Sequence, residues 1–83
     1  MTINLERAAM KGKLAEAKEK RRRLMSKFEA LSRSIRQGLN TALMDIEDIE
    51  MPQLSEMWGD LEVCWAEILS LRSDIELLAK ELE

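Results

Sequence analysis

The sequence predicts an all-α fold, an antiparallel two-helix hairpin whose helices meet along a coiled-coil-like seam. The first observation is a pair of apolar stripes, one in each half of the chain, that repeat every 3.5 residues. The second is the composition, which is rich in strong helix formers and poor in valine, threonine and tyrosine. Because 83 residues suffice for only one small domain, we expect residues 1–83 to form a single unit.

The first predicted helix spans residues 4–42. Its stripe starts at Ile3 and alternates spacings of three and four residues, and nine of its twelve positions are apolar. The exceptions are Arg7, Arg21 and Gly38. No proline interrupts this half of the chain, and a glycine inside a helix costs only about 1 kcal/mol relative to alanine. A single long helix is therefore expected.

The connection is predicted over residues 43–51 and is acidic. Its acidic residues are Asp45, Glu47, Asp48 and Glu50. They lack the glycine and the alternating ligand spacing of a calcium-binding loop, so we expect a solvated loop and no metal site. Ile46 and Ile49 alternate with these acids and are expected to cover the open end of the seam.

The second predicted helix spans residues 52–82 and carries the more regular stripe. All nine of its stripe positions are apolar: Leu54, Met57, Leu61, Cys64, Ile68, Leu71, Ile75, Leu78 and Leu82. Pro52 stands at the start, where a helix tolerates proline because the first-turn N–H groups have no helical partner. This pattern indicates a helix that faces another helix along its whole length.

A short connection between two long helices predicts an antiparallel pair. In such a pair, the numbers of two residues that face each other add up to a constant. A constant of 95 or 96 fits seven layers, among them Leu31 opposite Cys64, and puts the bend near residue 48. Gly38 is also expected to lie opposite Gly59. Residues 1–11 are then expected to lack a partner. The predicted seam comprises Leu14, Leu24, Phe28, Leu31, Ile35, Leu61, Cys64, Ile68, Leu71, Ile75, Leu78 and Leu82.

Large apolar side chains also lie beside the seam. Trp58 and Trp65 are seven residues apart, so they share one face of the second helix. Either both indoles fold over the edge of their own hairpin, or a second hairpin covers them and completes a four-helix bundle. We expect the second arrangement, a homodimer, because one seam buries little apolar surface. The candidate interface comprises Trp58, Trp65, Leu69, Met25 and Leu39.

Few residues suited to catalysis are present. The chain has no histidine, no tyrosine and one cysteine, and Cys64 lies in the apolar stripe, where a thiol behaves as a small hydrophobe. No glycine-rich phosphate-binding loop occurs. We therefore expect no enzyme activity, no cofactor, no metal and no small-molecule substrate. The apolar runs are too short for a membrane span and the opening residues lack an apolar signal core, so we expect a cytoplasmic protein.

Charge separates between the two halves. Residues 1–40 have a net charge of +7 and residues 41–83 a net charge of −10. The basic residues Lys18, Lys20, Arg21, Arg22 and Arg23 are candidate phosphate contacts. On a helix this run points in all directions and contains no aromatic residue to stack on a base. A protein-interaction module, binding itself or another helical protein, is therefore the first hypothesis, and a nucleic-acid-associated accessory protein is the alternative.

Three segments together resemble the small α-helical-hairpin proteins of Mu-like phages and prophages. They are an opening helix rich in lysine, arginine and alanine (residues 8–36), an acidic bend (residues 45–50) and a closing helix rich in leucine, isoleucine and glutamate (residues 68–83). The resemblance covers most of the chain and brings no catalytic or ligand-binding motif. It implies a cytoplasmic accessory protein that is bacterial or encoded by a phage.

Overall fold

A computed structural model describes residues 2–83 of the chain, with side chains from Leu5 onward. Two long helices, α1 (Thr2–Gly38) and α2 (Met51–Glu81), pack against each other, and a short 3₁₀ helix (Ile46–Asp48) lies between them. The described residues form no strand. The hairpin measures 66 × 16 × 15 Å. The predicted all-α helical hairpin is confirmed; Ile3, the first predicted stripe position, lies outside the residues whose side chains are described.

Helix α1 ends at Gly38, four residues before the predicted end at residue 42. The backbone N–H of Asn40 donates to the carbonyl of Gln37 at 3.2 Å, which tightens the chain into a turn. The Asn40 Oδ1 atom then accepts the N–H of Ala42 at 3.0 Å. Glycine is a weak helix former, and an asparagine side chain competes with the helix for backbone N–H groups. These two residues together end the helix.

Helix α2 begins at Met51, one residue before the predicted start, with Pro52 in its first turn. The helix ends at Glu81, one residue before the predicted end. Every position of its stripe, from Leu54 to Leu82 at the helix cap, is buried or half-buried. In α1 the same holds from Met10 to Gly38. The two stripes are therefore the surfaces along which the helices meet.

The register between the helices differs from the predicted one. The Cys64 thiol donates to the carbonyl oxygen of Leu24 at 3.1 Å, so these position numbers add up to 88. A Cβ atom built on Gly38 lies 2.6 Å from the Leu54 side chain, a pair that adds up to 92, whereas nothing lies within 4 Å of a Cβ on Gly59. The predicted sum of 95–96, with Leu31 opposite Cys64, is wrong, and so is the prediction that Gly38 lies opposite Gly59.

A repeating stripe explains this error. Two stripes with a 3.5-residue period match each other again after every shift of one layer, so a constant sum does not select one register. The bend decides between the registers. Because α1 ends at Gly38, the chain reverses near residue 46 rather than near residue 48.

The shifted register gives partners to residues near the start of α1. The guanidinium of Arg7 donates to the carbonyl of Leu82 at 2.7 Å, and Met10 is half-buried. The prediction that residues 1–11 have no partner is therefore wrong for these two residues. At the other end, Ile49 is half-buried, but Ile46 is 74% exposed at the start of the 3₁₀ helix, so Ile46 does not cover the seam.

A cysteine-pairing experiment tests this register. We expect Leu24→Cys or Phe28→Cys to form an intramolecular disulfide with Cys64, because both flank the Leu24 carbonyl, which accepts the thiol. Leu31→Cys is the matched control, displaced along α1 by about 10 Å from residue 24, whereas a disulfide spans Cα atoms about 4.4–6.8 Å apart. Non-reducing electrophoresis and mass spectrometry measure the rates. Faster closure of the residue 31 variant would contradict the observed register.

Candidate interaction surface

An apolar surface, here called the tryptophan face, runs beside the seam over the half of the hairpin nearest the bend. It comprises Met25 and Leu39 of α1 with Met51, Trp58 and Trp65 of α2. Met25, Leu39, Trp58 and Trp65 each follow a stripe residue directly, and Met51 lies seven residues before Trp58, so all five lie on the same side of the seam. All five are at least 40% exposed, although they are large apolar side chains. An exposed apolar patch of this kind is a candidate interaction surface.

The contacts near the bend show how the two helices build this face. Leu39, Met51 and Trp58 line one shallow apolar groove, together with Pro52 and Ser55 and the buried side chains Ile35 and Leu54. Leu39 and Met51 have position numbers that add up to 90. The position numbers of Met25 and Trp65 also add up to 90, and both residues directly follow a stripe residue. This second pair therefore continues the tryptophan face about 21 Å further along the hairpin.

The two tryptophans do not fold over the edge of their own hairpin. Trp58 is 54% exposed and Trp65 is 55% exposed. Of the other predicted interface residues, Met25 and Leu39 are exposed and Leu69 is half-buried at the edge of the face. The sequence prediction missed Met51, which is 58% exposed. Its position seven residues before Trp58, which places both residues on the same face of the helix, could have identified it.

The same side of the hairpin changes from apolar to basic beyond Met25 and Trp65. Lys18, Arg21 and Arg72 line a second groove, here called the basic groove, together with Ile75 and Glu76. Arg72 and Glu76 lie 4.0 Å apart, between Nε and Oε1. The three cations exceed this single acid, so the groove has a net positive charge.

The opposite flank of the seam is charged on both helices. On α1 it carries Lys13, Lys20 and Lys27, and on α2 it carries Asp60, Glu67, Asp74 and Glu81. Lys13 and Asp74 line one groove across the seam. Basic α1 therefore lies beside acidic α2 along this flank, an arrangement whose exposed pairs contribute about 0–1 kcal/mol each. The charged side chains of this flank favour exposure to solvent.

The predicted phosphate contacts do not form one surface. Lys18 and Arg21 belong to the basic groove, Lys20 lies on the opposite flank, and Arg22 and Arg23 point away from the seam. Acidic Glu19 binds two of these arginines.

Glu19 holds its arginines by direct ion pairs. Its carboxylate accepts from Arg22 at 2.7 Å and 3.0 Å, and its Oε1 atom lies 3.5 Å from Arg23 Nε. The hydrogen bond from Arg22 lowers the pKa of the exposed Glu19 carboxyl below its usual value. Glu19 therefore stays ionised at neutral pH, and a phosphate has to compete with it for both guanidinium groups.

Among the residues whose side chains are described, Cys64 is the most deeply buried, at 1% exposure. Its thiol donates to the Leu24 carbonyl inside the seam, where reagents in solvent do not reach it. Among the residues that the structure describes, no group of three or more cysteine, aspartate or glutamate side chains is placed to hold a metal ion. Neither described long helix is apolar enough over a sufficient length to cross a membrane.

Comparison with protein-family models, curated proteins and solved structures finds no match to this chain. The resemblance to the hairpin proteins of Mu-like phages therefore stays a prediction. The functional argument depends on the chain's own surfaces, of which the tryptophan face is the most distinctive.

Proposed function

We propose that this chain is a non-catalytic protein-interaction module that associates with itself through the tryptophan face. The single observation that carries the proposal is the exposure of Trp58 and Trp65, each more than half accessible on one apolar side of the hairpin. Tryptophan is enriched at the energetic centres of protein interfaces because it buries a large rigid surface and keeps a polar N–H. In a homodimer in which two hairpins form a four-helix bundle, the tryptophan face of each copy is covered by the other copy.

The small size of the buried core supports the same proposal. Among the described residues, the buried apolar ones are Ile35, Leu54 and Cys64, and of these only Cys64 is fully buried. Helical bundles of stable proteins usually bury apolar residues between more than two helices. A second hairpin on the tryptophan face places further side chains of both copies in a shared core.

Tryptophan fluorescence tests the proposal directly. As the protein is concentrated through the micromolar range, we expect the indole emission to shift to the blue and acrylamide quenching to weaken, because the indoles move from water into the interface. Emission and quenching that stay those of exposed indoles at all concentrations would contradict self-association. The tryptophan face would then be assigned to a different helical protein.

A nucleic-acid-associated accessory role is the second candidate function, and five cations in six residues (residues 18–23) favour it. Phosphate binding weakens steeply with salt, by about 0.9 in the log–log slope per neutralised phosphate. We expect only weak retention of duplex DNA or RNA at low salt, because Glu19 binds Arg22 and Arg23 and the cations diverge around α1.

The triple variant Arg21→Gln, Arg22→Gln, Arg23→Gln distinguishes the two functions. Its matched control, Lys11→Gln, Lys13→Gln, Lys27→Gln, removes the same charge elsewhere on α1. We expect both variants to bind nucleic acid equally weakly in an electrophoretic mobility assay. Tight binding by the unmodified chain that only the triple arginine variant abolishes would establish the nucleic-acid role in place of the interaction module.

A further inference from the structure

We propose that the basic groove is a binding site for a phosphate monoester, a dianion carried by a small molecule or by a phosphorylated protein segment. Helices α1 and α2 of one copy form the groove, so the site does not depend on the proposed self-association. Three features of the groove support it: the charges that meet there, the few partners that these charges have, and the space between them.

Lys18 and Arg72 bring like charges together across the seam. Their position numbers add up to 90, as do those of Met25 and Trp65, so the two cations lie opposite each other on the same side. Coiled coils usually place opposite charges at such flanking positions. On the opposite flank, three pairs whose numbers add up to 87 combine a lysine with an acid: Lys13 with Asp74, Lys20 with Glu67, and Lys27 with Asp60. The basic groove departs from this pattern, and departures of this kind are expected at functional sites.

The cations of the groove have few partners within the chain. Arg72 forms one ion pair, in which its Nε atom lies 4.0 Å from Oε1 of Glu76. An exposed pair of this kind is weak. Lys18 and Arg21 form no ion pair and no side-chain hydrogen bond with any residue that the structure describes. The N–H donors of these two residues are therefore available to a ligand.

Arg21 is held at the seam, which strengthens the site. It occupies a stripe position of α1, is half-buried, and lines the groove together with the half-buried Ile75 of α2. Its guanidinium is a planar fork that binds two oxygens of a phosphate at once. Partial burial strengthens such charge-assisted hydrogen bonds, because less water screens them. A phosphate in the groove gives Arg21 the anionic partner that the seam lacks.

The net charge of the groove selects the class of anion. Three cations and one acid leave the groove with a charge of +2. A phosphate monoester carries about −1.5 to −2 charges at neutral pH and three acceptor oxygens, so it neutralises the groove. A carboxylate or a phosphodiester carries a single charge and does not. The groove has a volume of about 350 Å³, within the range of about 300–1,000 Å³ that is typical of small-molecule sites.

A nuclear magnetic resonance titration with two small esters tests the site. We choose methyl phosphate, a monoester, and dimethyl phosphate, a diester with a single charge, each added to the isotope-labelled chain at constant ionic strength. We expect methyl phosphate to shift the amide signals near Lys18, Arg21 and Arg72. It is expected to bind at least fivefold more tightly than dimethyl phosphate, because only the monoester carries a second charge. Equal binding of the two esters overturns the monoester site and favours the nucleic-acid role.

A variant of the groove shows which residues bind the ester. Lys18→Gln with Arg72→Gln removes two charges without changing the seam, since both side chains are exposed. We expect this variant to bind methyl phosphate at least tenfold more weakly. Its matched control, Arg33→Gln with Lys80→Gln, removes the same charge from the outer sides of the helices and is expected to bind like the unmodified chain. Equal weakening in both variants would mean that anions bind to the whole cationic surface, which overturns the inference.

A short peptide with one phosphoserine distinguishes the two sources of the monoester. Tighter binding of the peptide than of methyl phosphate assigns the site to a phosphorylated protein segment, and equal binding assigns it to a small molecule. The phosphate site and the proposed self-association fail separately. A chain that dimerises but does not distinguish the two esters loses only the phosphate site, whereas a monomer that binds methyl phosphate through Lys18 and Arg72 loses only the dimer.

Discussion

Replacing Trp58 and Trp65 together by alanine is expected to abolish self-association and leave a monomer of 9.6 kDa at micromolar concentration. Both indoles lie on the tryptophan face with 54% and 55% of their surface exposed, so the hairpin's own seam loses little packing. Central tryptophans of an interface commonly contribute 2 kcal/mol or more each to binding. Two such losses weaken the dimer by at least about 700-fold, which size-exclusion chromatography with light scattering measures.

The matched control for this pair is Val63→Ala with Leu77→Ala. These two residues are also exposed apolar side chains of α2, at 60% and 61%, but they lie on the side away from the tryptophan face. The control variant is expected to remain a dimer. Equal loss of association in both variants would mean that general hydrophobicity, and not the tryptophan face, holds the copies together.

Substitution of Leu54 by alanine is expected to lower the free energy of unfolding by about 2–5 kcal/mol. Leu54 is only 7% exposed, and its side chain packs against Gly38 where the helices approach near the bend. Removing it leaves a cavity, because the backbone at Gly38 offers no side chain to fill the space. Urea unfolding followed by circular dichroism measures the effect.

Leu77→Ala is the matched control, since Leu77 belongs to the same helix but is 61% exposed. It is expected to change the free energy of unfolding by no more than about 0.5 kcal/mol. Both variants are best compared in the Trp58→Ala, Trp65→Ala background, so that dissociation does not contribute to the unfolding signal. A Leu54 effect as small as that of Leu77 would show that this end of the seam is not packed as the structure has it.

The helical hairpin could be predicted because the 3.5-residue spacing of apolar residues and the helix-forming composition determine local structure. The stripe of α2, from Leu54 to Leu82, specifies which side of that helix is covered, whatever it packs against. The register was not predictable from the stripes, because every one-layer shift again places apolar residues together. It depends on where the chain turns, and that depends on the weak helix signal at Gly38 and on the hydrogen bond of the Asn40 side chain.

The surface could be predicted only in part. Trp58 and Trp65 stand out as large apolar residues beside a stripe, so their shared face is readable from spacing. Met51 lies at the predicted helix boundary, where helical spacing does not reliably predict the side of the helix on which a side chain lies. The basic groove was missed because Arg72 belongs to the acidic half of the chain and meets Lys18 only once the correct register is known.

Sedimentation equilibrium of the unmodified chain tests the central claim, self-association through the tryptophan face, most directly. A monomer has a mass of 9.6 kDa. The account predicts that the mass rises with concentration through the micromolar range to a plateau near 19 kDa, twice the monomer mass, and that added salt shifts the midpoint without abolishing the dimer. A mass that stays at 9.6 kDa at every concentration and at low and high salt would contradict it.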